Sequence, residues 1–284
     1  MIQQKGIRYG ILLMLLSVVA FSLMATLVKM VQHISPYVTV FVRFAVGVGM
    51  LGILAMMQVI KLQFFRSPLL LLRGLSGSLS VALFYIAIVH VGMGKSSVYS
   101  YAYPVFASLI SHRFLGERIS RAQWMLIATA FLGILLLAFD HIRSGGFNWF
   151  ELLAILSAIT NAISIVIVRK LHETDDSYAI FFAQSIVGFW IFILPANMPA
   201  LTGEMGGSWL LLLVGLSGMA AQMLNTEGFR HIPVAKGSPF HMLIPVMNVG
   251  IGVMFFGEIL KPLEILGSAV VVLSCVGLMA VARR

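Results

Sequence analysis

Along the whole chain, predominantly apolar stretches of 17 to 25 residues alternate with short polar ones. Ten such stretches are readable, at residues 9–31, 36–60, 68–90, 96–115, 123–139, 149–168, 178–194, 208–232, 237–256 and 262–281. About 20 apolar residues in helical conformation cover the hydrocarbon core of a bilayer, where an α-helix satisfies its own backbone hydrogen bonds. The pattern therefore predicts an all-α integral membrane protein with ten transmembrane helices. The first stretch follows Lys5 and Arg8 as a signal peptide would, but it is too long for an h-region and lacks a small-x-small cleavage site. It reads as a retained helix.

The pattern also repeats. YAYPVFASLISHRFLGE at 101–117 is echoed 141 positions later by MLIPVMNVGIGVMFFGE at 242–258. At the same offset His90 pairs with His231, Lys95 with Lys236, Ser97 with Ser238 and Pro104 with Pro245. Upstream, Tyr37 pairs with Tyr178, Arg43 with Gln184 and Gly47 with Gly188; one residue of slippage aligns Lys29 with Arg169. Two copies of a five-helix unit are expected, residues 1–140 and 141–284. Because five is odd, the second copy enters the membrane from the opposite face, giving inverted repeats around a central cavity, a construction common among secondary transporters.

Composition agrees: 60% of residues are hydrophobic and 10% charged, against roughly 25% charged in soluble domains. Mean hydropathy is +1.01. The net charge of +9 is a matter of topology rather than of nucleic-acid binding. Alternate connections, beginning with the N-terminus, hold Lys5, Arg8, Lys61, Arg66, Arg73, Arg113, Arg118, Arg121, Arg169, Lys170, Arg230, Lys236, Arg283 and Arg284; the others hold Lys29, Lys95, Arg143 and Lys261. That asymmetry is the positive-inside signature and puts both termini in the cytoplasm, with the chain in the cytoplasmic (inner) membrane. Cys275 is the lone cysteine and lies in the last stretch, so no intramolecular disulfide forms.

Candidate chemistry sits inside the spans, where polar groups are costly. Pro104 and Pro245 fall about eight residues, roughly 12 Å, into their helices, and each frees a backbone carbonyl there. They are the expected bends or gates of a cavity. Ser157, Asn161 and Ser164 form one polar stripe, Gln222, Asn225 and Thr226 a second, and His241, Pro245 and Asn248 a third, while Tyr99 and Tyr103 share a face. Each stripe also has a plain reading as helix-to-helix hydrogen bonding. Arg43, about 10 Å in from Pro36, needs an acceptor, either a substrate carboxylate or a structural tie. Gln184 is its repeat counterpart. Glu227 and His241 are the candidates for proton coupling, with a surface pairing of Glu227 to Arg230 or His231 as the alternative. The two Gly-Glu pairs, at 116–117 and 257–258, read as helix endings whose carboxylates favour the N-terminus of the next helix.

The ten stretches, the repeated five-helix unit, Pro-Val midway along the fourth and ninth stretches, and LGERIS and FGEILK ahead of the following helices together resemble the EamA branch of the drug/metabolite transporter superfamily. The resemblance covers nearly the whole chain. It implies a secondary transporter, often an exporter of amino acids or related metabolites, with no cofactor and no metal, its partners being a small-molecule substrate and the lipid bilayer. Monomer and homodimer stay open. Multidrug or toxic-compound efflux, metabolite uptake and flipping of a lipid-linked substrate are the competing transport functions. An enzyme is disfavoured, since no phosphate-binding loop, HExxH pair or nucleophile elbow is present.

Overall fold

The computed structural model describes residues 2–60, 67–114, 120–143, 148–196, 209–232 and 234–281. Among them the secondary structure is helical, with no strand. The helices are α1 (Ile2–Met30), α2 (Pro36–Met56), α3 (Pro68–Val91), α4 (Met93–Tyr101), α5 (Tyr103–Phe114), α6 (Arg121–Arg143), α7 (Trp149–Leu171), α8 (Ser177–Phe192), α9 (Trp209–His231), α10 (Val234–Gly237), a 3-10 turn (Ser238–Met242), α11 (Leu243–Phe256) and α12 (Pro262–Val281). Five of them, Arg8–Met30, Pro36–Met56, Pro68–Val91, Trp149–Leu171 and Trp209–His231, are long and apolar enough to cross a membrane. Shorter apolar helices run over Arg121–Leu136, Ser177–Phe192, Phe240–Phe256 and Pro262–Ser274. Large apolar side chains such as Leu132, Trp190 and Leu273 stand more than half exposed on the outside, an arrangement that lipid solvates and water does not. The chain is a multi-pass membrane protein.

Local chemistry places the boundaries. The side chains of Asn148 and Asp176 accept from the backbone N–H groups of Phe150 (3.0 Å) and Ala179 (2.7 Å) at the starts of α7 and α8, satisfying donors that a helix leaves free. Gly92 (φ +98°) separates α3 from α4, and Gly257 (φ +62°) ends α11; both conformations are easy for glycine alone. The stretch holding Pro104 is split: α4 stops at Tyr101, Ala102 forms a turn and α5 carries Pro104 in its first turn. Its counterpart holding Pro245 is divided further, by the 3-10 turn ahead of α11.

Two features differ from expectation. Arg73, counted above with the connecting cations, lies five residues inside α3 and is 2% exposed. Glu258 does not serve the helix that follows it. Its carboxylate accepts from the backbone N–H groups of Met93 (2.6 Å) and Gly94 (2.8 Å), at the start of α4, while Lys29 lies 3.5 Å away. The following helix, α12, is closed instead by Glu264, which accepts from the Lys261 N–H at 3.1 Å. Gly116 and Glu117 lie outside the described residues.

Helix pairing is strongly patterned. α1 packs on α9 and α3 on α7; α2 packs on both α8 and α9, and α3 on α8; α4 meets α11 and α6 meets α12. Glycines let the α2, α3, α8 and α9 backbones close up, and their contacts come in matched sets. A Cβ on Gly74 would meet Val187 at 2.6 Å, and one on Gly215 would meet Val46 at 2.6 Å. Gly47 faces Ser185 and Gly188 faces Phe44; Gly77 faces Gln184 and Gly218 faces Arg43.

Candidate functional site

Between these helices lies a small polar cavity, about 50 Å³ in volume. Its walls come from α1, α2, α3, α4, α7, α8, α9 and the 3-10 turn. Seven of the side chains singled out in the sequence line it: Arg43, Ser157, Asn161, Gln184, Gln222, Asn225 and His241.

Arg43 projects from α2 and is 4% exposed. Its Nη1 donates to Tyr85 Oη at 3.2 Å and contacts Met24 Sδ at 3.1 Å. The guanidinium carbon stands 5.6 Å from the centre of the Tyr85 ring, within range of a cation–π attraction. Gly218 leaves the room: a Cβ there would come within 3.0 Å of Arg43 Nε. Arg73 reaches the same cavity from α3. It donates through Nη2 to Gln184 Oε1 at 2.8 Å and through Nη1 to Ser164 Oγ, while its Nε has no partner. Among the described residues no carboxylate pairs with either arginine; the ion pairs are those of Lys29, Lys95, Arg230 and His231.

His241 occupies the 3-10 turn and is 1% exposed. Its Nε2 lies 3.1 Å from Ser17 Oγ and its Nδ1 2.7 Å from Tyr103 Oη. Ser17 donates to Met14 O at 2.7 Å, which leaves its oxygen to accept from Nε2–H, while the Tyr103 hydroxyl also lies 3.3 Å from Ser238 O. Around His241 stand the rings of Phe21, Tyr101, Tyr103 and Phe229. On the other side Ser80 and Ser157 clasp α3 to α7, each hydroxyl donating to the other's backbone carbonyl at 3.0 and 2.9 Å. Asn225 Oδ1 is buried without a partner.

The remaining sequence candidates fall elsewhere. Tyr99 is fully buried but does not line the cavity; the turn at Ala102 separates it from Tyr103 and leaves Tyr101 on the wall instead. Tyr103 contributes through its bond to His241. Asn248, in α11, donates to Ser97 Oγ at 2.8 Å and ties α11 to α4 outside the cavity. Pro104 and Pro245 stand beside the helix breaks and not on the wall. Glu227, near the end of α9, accepts from Ser177 Oγ at 2.5 Å and lies 3.1 Å from His231 Nε2 and 3.6 Å from Arg230, the alternative pairing read from the sequence. Arg73, Tyr101, Ser80 and Ser100 were not singled out. Arg73 alone had a signal, its position five residues past Pro68.

At the far end from Glu227, Lys95 bridges Glu151 (2.9 Å) and Glu264 (2.6 Å). Among the described residues no group of three His, Cys, Asp or Glu side chains is placed to hold a metal ion.

A bundle of apolar helices enclosing a buried, cationic, hydrogen-bonding chamber marks an integral membrane protein with a polar interior. The EamA-like transporter family model matches residues 8–139 and again 148–280, and the chain belongs to that family. The pseudopaline exporter of Pseudomonas aeruginosa is 29% identical over 96% of both chains. A riboflavin transporter of Rhizobium johnstonii is 31% identical over 54% of this chain and 51% of its own. The S-adenosylmethionine uptake transporter of Rickettsia prowazekii is 22% identical over 62% of this chain and 60% of its own. A solved crystal structure, 17% identical, has the same fold over 97% of this chain and 98% of its own, with a TM-score of 0.67. Family and relatives are transporters, not enzymes.

Proposed function

We propose that the protein is a secondary transporter of ten spans that exports amino acids or amino-acid-like metabolites across the cytoplasmic membrane, both termini lying in the cytoplasm. The observation that carries this reading is the pair of buried guanidinium groups in a polar cavity, with no carboxylate among the described residues to match them. Ionisable groups at membrane depth mark transport pathways, and a substrate carboxylate supplies the missing partner. The full-length relative named as an exporter favours export.

Alternating access is supported by the matched helix contacts. At an offset of 141 residues, the contact of Gly74 with Val187 maps onto that of Gly215 with Val46, Gly47 with Ser185 onto Gly188 with Phe44, and Gly77 with Gln184 onto Gly218 with Arg43. Such reciprocity is expected of an interface with two-fold symmetry, here between residues 1–140 and 141–284, and with five spans each the axis lies in the membrane plane. At about 50 Å³ the cavity is closed down, so loading requires one end to open. The ion pairs of Lys95 with Glu151 and Glu264 join the two halves at one such end.

A metabolite comparison of culture medium from cells overproducing the protein and cells lacking it tests the reading, followed by flux of the compound found in proteoliposomes. An amino-acid-like compound should accumulate outside the overproducing cells. Depletion of such a compound from the medium would instead mean uptake, and no protein-dependent change would refute the proposal. Repeating the flux under an imposed pH gradient tests His241 and Glu227 as coupling groups; flux indifferent to the gradient removes them.

A further inference from the structure

The two arginines also set the charge of what the cavity accepts. We propose that the substrate carries two carboxylates, one meeting Arg43 and the other Arg73; this rests on the transporter reading above and narrows its substrate class.

Arg43 and Arg73 line one cavity and are 4% and 2% exposed. A guanidinium keeps its charge in proteins, and an uncompensated buried charge costs several kcal/mol. The described carboxylates do nothing to reduce this cost. Glu151 and Glu264 are taken by Lys95, Glu258 by Lys29 and the start of α4, and Glu227 by Ser177, Arg230 and His231. Among the described residues the partners of the two guanidiniums are neutral: Met24 and Tyr85 for Arg43, Ser164 and Gln184 for Arg73. Each guanidinium has five N–H donors in a planar fork. Arg43 engages its partners through Nη1 alone, and Arg73 leaves Nε without any. Donors suited to a carboxylate therefore remain on both.

The internal repeat shows that the second charge is an addition. The repeat counterpart of Arg43 is Gln184, a neutral amide; that of Arg73 is Val214. A strictly symmetric site would hold Arg43 against Gly218 on one side and Gln184 against Gly77 on the other. Arg73 enters at the second position, beside both Gln184 and Gly77. One guanidinium thus stands on each side of the pseudo-two-fold, although the two residues come from unrelated repeat positions. A single carboxylate would neutralise one side and leave the other charge uncompensated, whereas a molecule with two matches both. Asn225 Oδ1, which has no partner among the described residues, adds an acceptor on the cavity wall for an amine or hydroxyl.

Thermal unfolding of the purified full-length protein in detergent decides the matter, with L-glutamate and glutarate set against L-glutamine and butyrate, each pair differing by one carboxylate. A ligand that binds only the folded state raises Tm. Glutamate and glutarate should raise it and their one-carboxylate partners should not. Arg43→Gln and Arg73→Gln should each weaken dicarboxylate binding by about tenfold or more and abolish the preference over the monocarboxylates. If either variant fails to fold, the wild-type comparison still reads the number of carboxylates required. Equal stabilisation by all four compounds overturns the two-carboxylate site and leaves the exporter reading standing. Stabilisation by inorganic phosphate alone, or by none of the compounds, also overturns it, and the medium comparison then judges the exporter reading separately.

Discussion

Whatever fixes Arg43 in the bundle centre must also tolerate its charge. The Tyr85 ring and the Met24 sulfur are both neutral partners, and in the proposed function an incoming anion supplies the missing charge. Arg43→Gln should leave the protein inserted and folded, since the lost partners are neutral, yet reduce flux in proteoliposomes by roughly a hundredfold, the scale expected when a charged contact worth 2–5 kcal/mol disappears. Normal flux would return Arg43 to a structural role. The contrast with Arg73 shows what a sequence reveals of such sites. Arg43 was legible because an apolar run encloses it. Arg73 follows Lys61 and Arg66 closely and reads as one more connecting cation, although five residues of α3 precede it. Cation counting along a chain cannot see that its side chain turns inward to Ser164 and Gln184, 91 and 111 residues away.

Among the helical elements, the interruptions carry the argument. Uniform 3.6-residue periodicity placed Tyr99 and Tyr103 on one face, and the turn at Ala102 exchanges Tyr99 for Tyr101 on the cavity wall. A period cannot foresee its own break, although Pro104 and Pro245 marked both neighbourhoods. Pro104→Ala restores a backbone donor and favours one continuous helix through 93–114; we expect flux to fall roughly tenfold with little change in ligand-induced Tm shift, because movement and not binding is impaired. The capping role of Glu258 was equally hidden, since its partners Met93 and Gly94 lie about 165 residues upstream. Glu258→Ala removes two charge-assisted bonds and should cost about 1.5–3 kcal/mol, read as a lower Tm. Close helix packing makes a separate prediction. A Cβ on Gly74 would sit 2.7 Å from the Ala183 carbonyl oxygen, a backbone atom that cannot rotate away. Gly74→Ala should therefore destabilise by about 1–3 kcal/mol, whereas Gly49→Ala, with open space around it, should not.

For the molecule as a whole, hydropathy and the repeat made the helical membrane fold and the family legible, because both are written locally and then written again. The chamber itself was legible only as stripes; which stripe faces inward depends on packing among eight elements that no stripe encodes. Everything in the transport account turns on the two halves lying upside down to one another. Single cysteines at His33, in the exposed connection between α1 and α2, and at Glu173, in the exposed connection between α7 and α8, report on equivalent points of the two repeats. Placed on a Cys275→Ser background and labelled in intact cells with a membrane-impermeant thiol reagent, the cysteine at position 33 should react from outside, while that at 173 reacts only after the membrane is opened. Labelling of both positions from the same side would contradict the inverted arrangement and the alternating-access mechanism with it.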